Sequence, residues 1–261
     1  MGSYFSQLLI SKYMQKQQNS DIVTKGRISY LLLFLLLLAT SVYSQSGVES
    51  LPLKGSLNYG KSVAVFGGSV SVIPASDTAK RMWKERLGMT ITNYGVGGAG
   101  FSSLQGKSLQ QQVDGAGVFD IYILWASTND YTNHREVGNY TDYTEFDGYD
   151  KGKLTTQAGG INYCLKKIYE INPRAVIYFF TSSKAFNDRG GYDPFFAQGM
   201  NRYVDMQKKI CELHGIPVLD QFTLGGYNIY NKHLYYNDPI HMNAAGYKKL
   251  GELQVAFLAF P

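Results

Sequence analysis

Cysteine is nearly missing from this chain, with two in 261 residues, Cys164 and Cys211, and no CxxC pair. That excludes a disulfide-rich scaffold and a structural zinc site. Charge is sparse as well, at 17%, and neither sign dominates the body of the chain. The formal net charge is +5, but four of the 25 basic residues and one of the 20 acidic ones lie in residues 1–44. The remaining 21 and 19 leave only +2, with no basic patch that would suit nucleic acid. Internal repeats and low-complexity linkers are also missing, so nothing splits the chain into several domains. What is abundant is apolar material, at 44%, which is enough for a large core and excludes a disordered chain. Tyrosine is over-represented, with 21 beside 14 phenylalanines.

The one long apolar block, residues 31–38 (LLLFLLLL), follows Lys12, Lys16, Lys25 and Arg27 and precedes a run of small and polar residues, 39–44. A charged lead, an apolar stretch and a small-residue exit describe a secretory signal peptide over residues 1–44, with cleavage near Ser44. The stretch from Ile28 to Tyr43 is short for a membrane span, which needs about 20 residues; an uncleaved N-terminal anchor is the alternative. The lead is long enough that Met14 is a candidate start. No cysteine follows the block, which argues against a lipid-modified anchor. The expected location is secreted or periplasmic, with no stable membrane association after cleavage, or membrane-anchored if the segment is retained. Outside the cytoplasm Cys164 and Cys211 could pair, but both fall in helical patterns, and buried free thiols are expected.

Residues 45–261 alternate two patterns. Five short runs rich in Val, Ile, Tyr and Phe read as strands buried on both faces: Ser62–Phe66, Thr90–Tyr94, Ile121–Trp125, Ala175–Phe180 and Ile216–Leu219. Helical patterns lie between them. Asp77–Leu87 stops at Gly88. Thr156–Ile171 aligns Ile161, Cys164, Leu165 and Ile168. Met200–His214 aligns Tyr203, Met206, Ile210 and Leu213, and Asn243–Phe260 ends the chain. Alternation of this kind implies a parallel sheet with helices on both faces. One insertion, residues 131–159, is long for a connection and carries Tyr131, Tyr140, Tyr143, Phe146 and Tyr149. These aromatics suit either sugar stacking and substrate lining, with Tyr131, His134 and Tyr143 as candidates, or packing of the loop onto the domain.

In open α/β sheets ligands bind at the carboxyl ends of the strands. The first run is followed by Gly67-Gly68-Ser69-Val70-Ser71, the second by Gly95-Val96-Gly97-Gly98-Ala99-Gly100 and the third by Ala126-Ser127-Thr128-Asn129-Asp130. Asp238-Pro239-Ile240-His241 precedes the last helix. These parts meet the needs of acyl transfer. A serine hydroxyl needs a base within hydrogen-bond reach, and His241 can serve. The second ring nitrogen needs an acceptor that fixes its tautomer, and Asp238 is three residues away. A tetrahedral intermediate needs donors for its oxyanion, and the N–H of Ser69, the N–H of a glycine in the second turn and the Asn129 amide are available.

Competing readings are weaker. Gly95–Gly100 satisfies GxGxxG, but the next strand ends without the acid that a dinucleotide site requires. GxSxG is absent because position 71 is serine, so the α/β-hydrolase elbow is not the template. Asp142, Glu145, Asp147 and Asp150 lack EF-hand spacing and read as a solvated face rather than a metal site. His214 suits a helix C-terminus, and Asp130 reads as a cap for the segment after it.

The four segments, in this order, resemble the blocks of the SGNH hydrolases, also called the GDSL esterase/lipase family. Ser69 matches the nucleophile. Gly98, five residues after Asn93, matches the oxyanion glycine. Asn129 matches the third block, and Asp238 with His241 matches the closing DxxH. The resemblance spans most of residues 62–250. It implies a three-layer α/β/α sandwich with a five-stranded parallel sheet in flavodoxin-like order 2-1-3-4-5. It further implies ester hydrolysis without a cofactor, often of short acyl groups on sugars. Two positions depart from the pattern: Gly68 stands where the first block has Asp, and Ser127 where the third begins with Gly. The expectation is an exported serine esterase acting on a small acyl ester or an acetylated glycan. A lysophospholipase, thioesterase or acyltransferase would use the same machinery, and a non-catalytic glycan-binding module would keep the same fold.

Overall fold

Five parallel strands form the centre of the domain: β1 (Ser62–Gly67), β2 (Thr90–Asn93), β3 (Ile121–Trp125), β4 (Val176–Phe180) and β5 (Val218–Leu219). They lie in the order β2-β1-β3-β4-β5, as the family resemblance implies. A computed structural model describes residues 51–104, 106–142, 153–186 and 199–260. The chain divides into Met1–Leu51 and Pro52–Pro261, and the five strands all belong to the second unit. The N-terminal apolar block, Tyr143, Phe146 and Tyr149 lie outside the described residues. Among the described residues no helix is long and apolar enough to cross a membrane.

Strand alternation sends successive side chains to opposite faces, and the core divides accordingly. Val63, Val65, Ile121, Ile123, Trp125, Tyr178 and Phe180 face one way. They pack against α2 (Asp77–Leu87) through Trp83 and Leu87, and against α7 (Ala244–Ala259) through Tyr247, Leu250, Val255 and Leu258. Ala64, Phe66, Tyr122, Leu124, Ile177 and Phe179 face the other way. Their partners are α3 (Leu109–Asp114), α5 (Gln157–Ile171) and α6 (Asn201–His214). The result is a three-layer sandwich. Cys164 on α5 and Cys211 on α6 both sit in this second core as free, buried thiols, and burial pushes both pKa values up.

Three expectations are corrected. β2 is not buried on both faces: Thr90, Thr92 and Asn93 are exposed and only Ile91 is partly covered. It is an edge strand, paired on one side only, and its polar residues match that place. The buried face of α6 is rotated from the predicted one. Leu213 is 48% exposed, and Tyr203, Val204, Gln207, Ile210 and Cys211 are the buried residues. Finally, the insertion is shorter than 131–159. A four-residue helix, α4 (Asn129–Thr132), opens it, and α5 already starts at Gln157, with the Thr156 hydroxyl accepting from the Gly159 N–H.

Sheet register positions the site. Gly67 lies opposite Trp125, Trp125 opposite Phe180, and Phe180 opposite Leu219. The carboxyl ends of four strands are therefore level, and the segments leaving them share one edge.

Candidate active site

Ser69 opens a four-residue helix, α1 (Ser69–Val72), directly after β1 and Gly68. This turn is pinned from several sides. Gln112, on α3, accepts from the Gly67 N–H at 2.9 Å and donates to Gly67 O at 3.1 Å, so its amide acts as a substitute strand partner. Ser71 O accepts from Lys80 Nζ at 2.6 Å and from Asn93 Nδ2 at 2.7 Å. Tyr247, on α7, donates its hydroxyl to Val70 O at 2.8 Å. Fixing the backbone on both sides of Ser69 leaves its side chain little freedom to wander.

The histidine arrives from a short hairpin. Tyr236 bridges Met242, and the Asn237 N–H donates to His241 O at 2.9 Å. Within this turn one Asp238 oxygen, Oδ1, accepts from the N–H groups of Ile240 at 2.8 Å and His241 at 2.7 Å. That is the local chemistry for which aspartate is favoured at a turn. The other oxygen, Oδ2, lies 2.8 Å from His241 Nδ1, and His241 Nε2 lies 2.9 Å from Ser69 Oγ. An ionised carboxylate only accepts, so Nδ1 carries the proton toward Asp238 and Nε2 is left to accept from the Ser69 hydroxyl. The DxxH spacing thus folds one carboxylate into two jobs, shaping the turn and orienting the ring.

Burial acts to raise the Asp238 pKa, but the N–H groups of His241 and Ile240 and the His241 ring outweigh it and hold the carboxyl below its ordinary value. A depressed folded-state value gives a contribution to stability that is complete above the unfolded carboxylate value. It is lost as pH falls through the folded one. Denaturant melts of wild type and Asp238→Asn between pH 2 and 7 are expected to converge in stability at the acid end, because the variant lacks this acid-side dependence. Parallel curves would show that Asp238 does not gain these bonds on folding.

The second turn, residues 94–100, is held against the first. The Val96 N–H donates to Gly67 O at 3.0 Å. Gly98 is exposed and has φ +80°, a left-handed conformation that favours glycine. Ala99, next to it, is gripped from the third strand end: its carbonyl accepts from Ser127 Oγ at 2.7 Å and from Asn129 Nδ2 at 2.8 Å. The Asn129 amide also lies against the nucleophile turn, since a Cβ placed on Gly68 would come within 2.7 Å of Asn129 Nδ2. Ser69, His241 and Asp238 are therefore joined by hydrogen bonds, and the turn bearing Gly98 and the amide of Asn129 adjoin them.

Asp130 is not a cap. It is 1% exposed, and its carboxylate accepts from the N–H groups of Phe101 at 2.8 Å and Ser102 at 3.0 Å. It ties the backbone just beyond Gly98 to α4. Burial, the largest effect, raises its pKa against the opposing pull of those N–H groups, Arg135 and Gln157. The Tyr131 ring meets Tyr203 edge-on at 5.4 Å and packs on the cluster of Ala185, Met200, Val204 and Phe222, which Ile240 also joins. His134 is exposed, with φ +54°, and its N–H donates to Tyr131 O at 3.0 Å. Tyr143, the third lining candidate, lies outside the described residues. His214 ends α6 as expected, with Nε2 2.9 Å from Asn162 Oδ1, and burial lowers its pKa. A void of about 10 Å³, room for about one water, lies in the core below the site among Val70, Trp125, Met242, Tyr247 and Leu250.

Beyond the geometry, the GDSL-like lipase/acylhydrolase family description matches residues 62–249, most of the chain and all four strand ends. The chain belongs to this family. No curated protein matches it. Among solved structures, the chain is similar to a protein from Lactobacillus plantarum at 18% identity and a TM-score of 0.64, over 76% of this chain and 96% of that one. A possible lipase from Chitinophaga pinensis shares 16% identity at a TM-score of 0.57, over 75% and 96%. An acetylxylan esterase from Geobacillus stearothermophilus, in a catalytic-mutant form, shares 14% at a TM-score of 0.53, over 79% and 97%. At these identities the likeness concerns the fold. Family membership itself supports an ester hydrolase.

Proposed function

We propose that this GDSL-family chain is an exported serine esterase that removes short acyl groups, acetyl foremost, from carbohydrate. The observation that carries the reading is the continuous relay from Ser69 Oγ through His241 to Asp238, with links of 2.9 and 2.8 Å. In this mechanism Ser69 Oγ attacks the ester carbonyl while His241 Nε2 takes its proton. Asp238 holds the ring and stabilises the imidazolium. The N–H groups of Ser69 and Gly98 and the amide of Asn129 stabilise the oxyanion. His241 then protonates the departing alkoxide, and water, activated by the same histidine, cleaves the acyl-enzyme.

Support for a glycan carrier comes from the fold shared with an acetylxylan esterase. Export rests on the layout of residues 1–44. The test is a chain-length series of 4-nitrophenyl esters alongside acetate release from acetylated xylan. The reading predicts kcat/KM highest for acetate, falling at least about tenfold by octanoate. It also predicts acetate release from the polymer. A preference for octanoate would favour a lipase or lysophospholipase. Glycan binding with no turnover would favour a binding module.

A further inference from the structure

The two departures from the family pattern, Gly68 and Ser127, meet in space. Ser127 is 5% exposed and follows β3 by two residues. Its hydroxyl donates to Ala99 O at 2.7 Å. It accepts from Asn129 Nδ2 at 2.9 Å and lies 3.3 Å from the Asn129 N–H. Its own carbonyl accepts from Ser182 Oγ at 2.7 Å, which fixes the residue from behind. A Cβ on Gly68 would come within 2.7 Å of Ser127 Cβ, 2.7 Å of Asn129 Nδ2 and 2.6 Å of Ala99 O. The volume beside the residue that precedes Ser69 is thus filled by the Ser127 side chain, the Asn129 amide and the carbonyl that both of them grip.

We propose that Ser127 is a positioning residue for the oxyanion donor Asn129: its hydroxyl, anchored on Ala99 O, sets the place and plane of the Asn129 amide against the Gly68–Ser69 turn. This rests on the reading of Asn129 as an oxyanion donor. The physical need is plain. A donor serves an oxyanion only if it is already in place when charge develops, because reorientation at that moment costs the stabilisation it would give. Asparagine at the head of a four-residue helix has two side-chain torsions to be fixed. Ser127 supplies a fixed acceptor two residues away, and its hydrogen bond to Ala99 O also joins that donor to the Gly98 turn. Gly68 is the required counterpart, since any side chain there would displace the amide that Ser127 holds.

The experiment is a double-mutant cycle in the full chain, with 4-nitrophenyl acetate as substrate and a thermal midpoint for each protein. Asn129→Ala is expected to lower kcat about a hundredfold. Ser127→Ala is expected to lower kcat on the order of tenfold, as a misplaced group does, with KM within about twofold. The double variant is expected to match Asn129→Ala alone, because a residue that acts through Asn129 has nothing left to act on. Ser127→Cys, close in shape but a poor hydrogen-bonding group, is expected to fold and to repeat the kcat loss, which covers the case in which the alanine variant does not fold. If Ser127→Ala and Ser127→Cys keep wild-type kcat while Asn129→Ala is impaired, the positioning role is overturned and the oxyanion reading survives. A further tenfold loss in the double variant overturns it too. If Asn129→Ala is fully active, or wild type has no turnover, the parent reading falls and this one with it.

Discussion

Ser69→Ala is expected to lower kcat on the order of 10⁴- to 10⁶-fold. The side chain contributes one atom that nothing nearby replaces. Oγ is the hydroxyl within reach of His241 Nε2, and the imidazole cannot generate a nucleophile without it. What remains after the substitution is substrate binding and the oxyanion donors. These alone retain a residual acceleration of roughly 10³–10⁴ over water in serine hydrolases. The substitution removes one partly exposed hydrogen bond, so stability is expected to change by no more than about 1 kcal/mol. The measurement is ester hydrolysis beside a thermal melt. Loss of turnover with an unchanged midpoint supports the nucleophile assignment. Equal activity in the two proteins contradicts it.

Asp130→Ala is expected to act on stability and catalysis together. Removing the carboxylate strands the N–H groups of Phe101 and Ser102 in the protein interior. An unsatisfied buried donor costs about 1–3 kcal/mol. Relief from burying the carboxylate offsets part of that, leaving a net loss of roughly 2–4 kcal/mol. For a domain of this size the thermal midpoint is expected to fall by about 5–12 °C. The same bonds hold the backbone that continues from Gly98, so kcat is expected to fall at least about tenfold in the folded variant. Thermal denaturation and steady-state kinetics on one preparation read both effects. A lower midpoint with wild-type kcat would make Asp130 a stability residue only. An unchanged midpoint would mean that another group takes over the two N–H bonds.

The parts of this protein legible in its sequence are those in which a local pattern forces the outcome. Alternation in β1, β3 and β4 divides the core into two faces whatever the rest of the chain does. DxxH is legible because its hydrogen bonds lie within four residues. The exposure of β2 has a signal in its polar residues Thr90, Thr92 and Asn93, which suit a strand paired on one side only. The turn of α6 toward Val204 and Cys211 depends on the surface it meets, which its own periodicity does not contain. Asp130 reads as a cap from its place at a helix start, yet its partners are 28 and 29 residues away. Gln112 gives no local signal at all, since it serves Gly67 across 45 residues. Ser127 and Gly68 look like two independent departures in sequence and become one arrangement only when β1 and β3 lie side by side.

The most direct test of the central claim is covalent labelling by a fluorophosphonate, read by intact mass and peptide mapping. Such a reagent reacts with a serine that a neighbouring base has activated, independent of which ester the enzyme prefers. The relay predicts one phosphonyl group per chain, mapped to Ser69, and abolished in both Ser69→Ala and His241→Ala. A label on another serine, or a protein that hydrolyses acetate yet leaves Ser69 unmodified, would contradict the account.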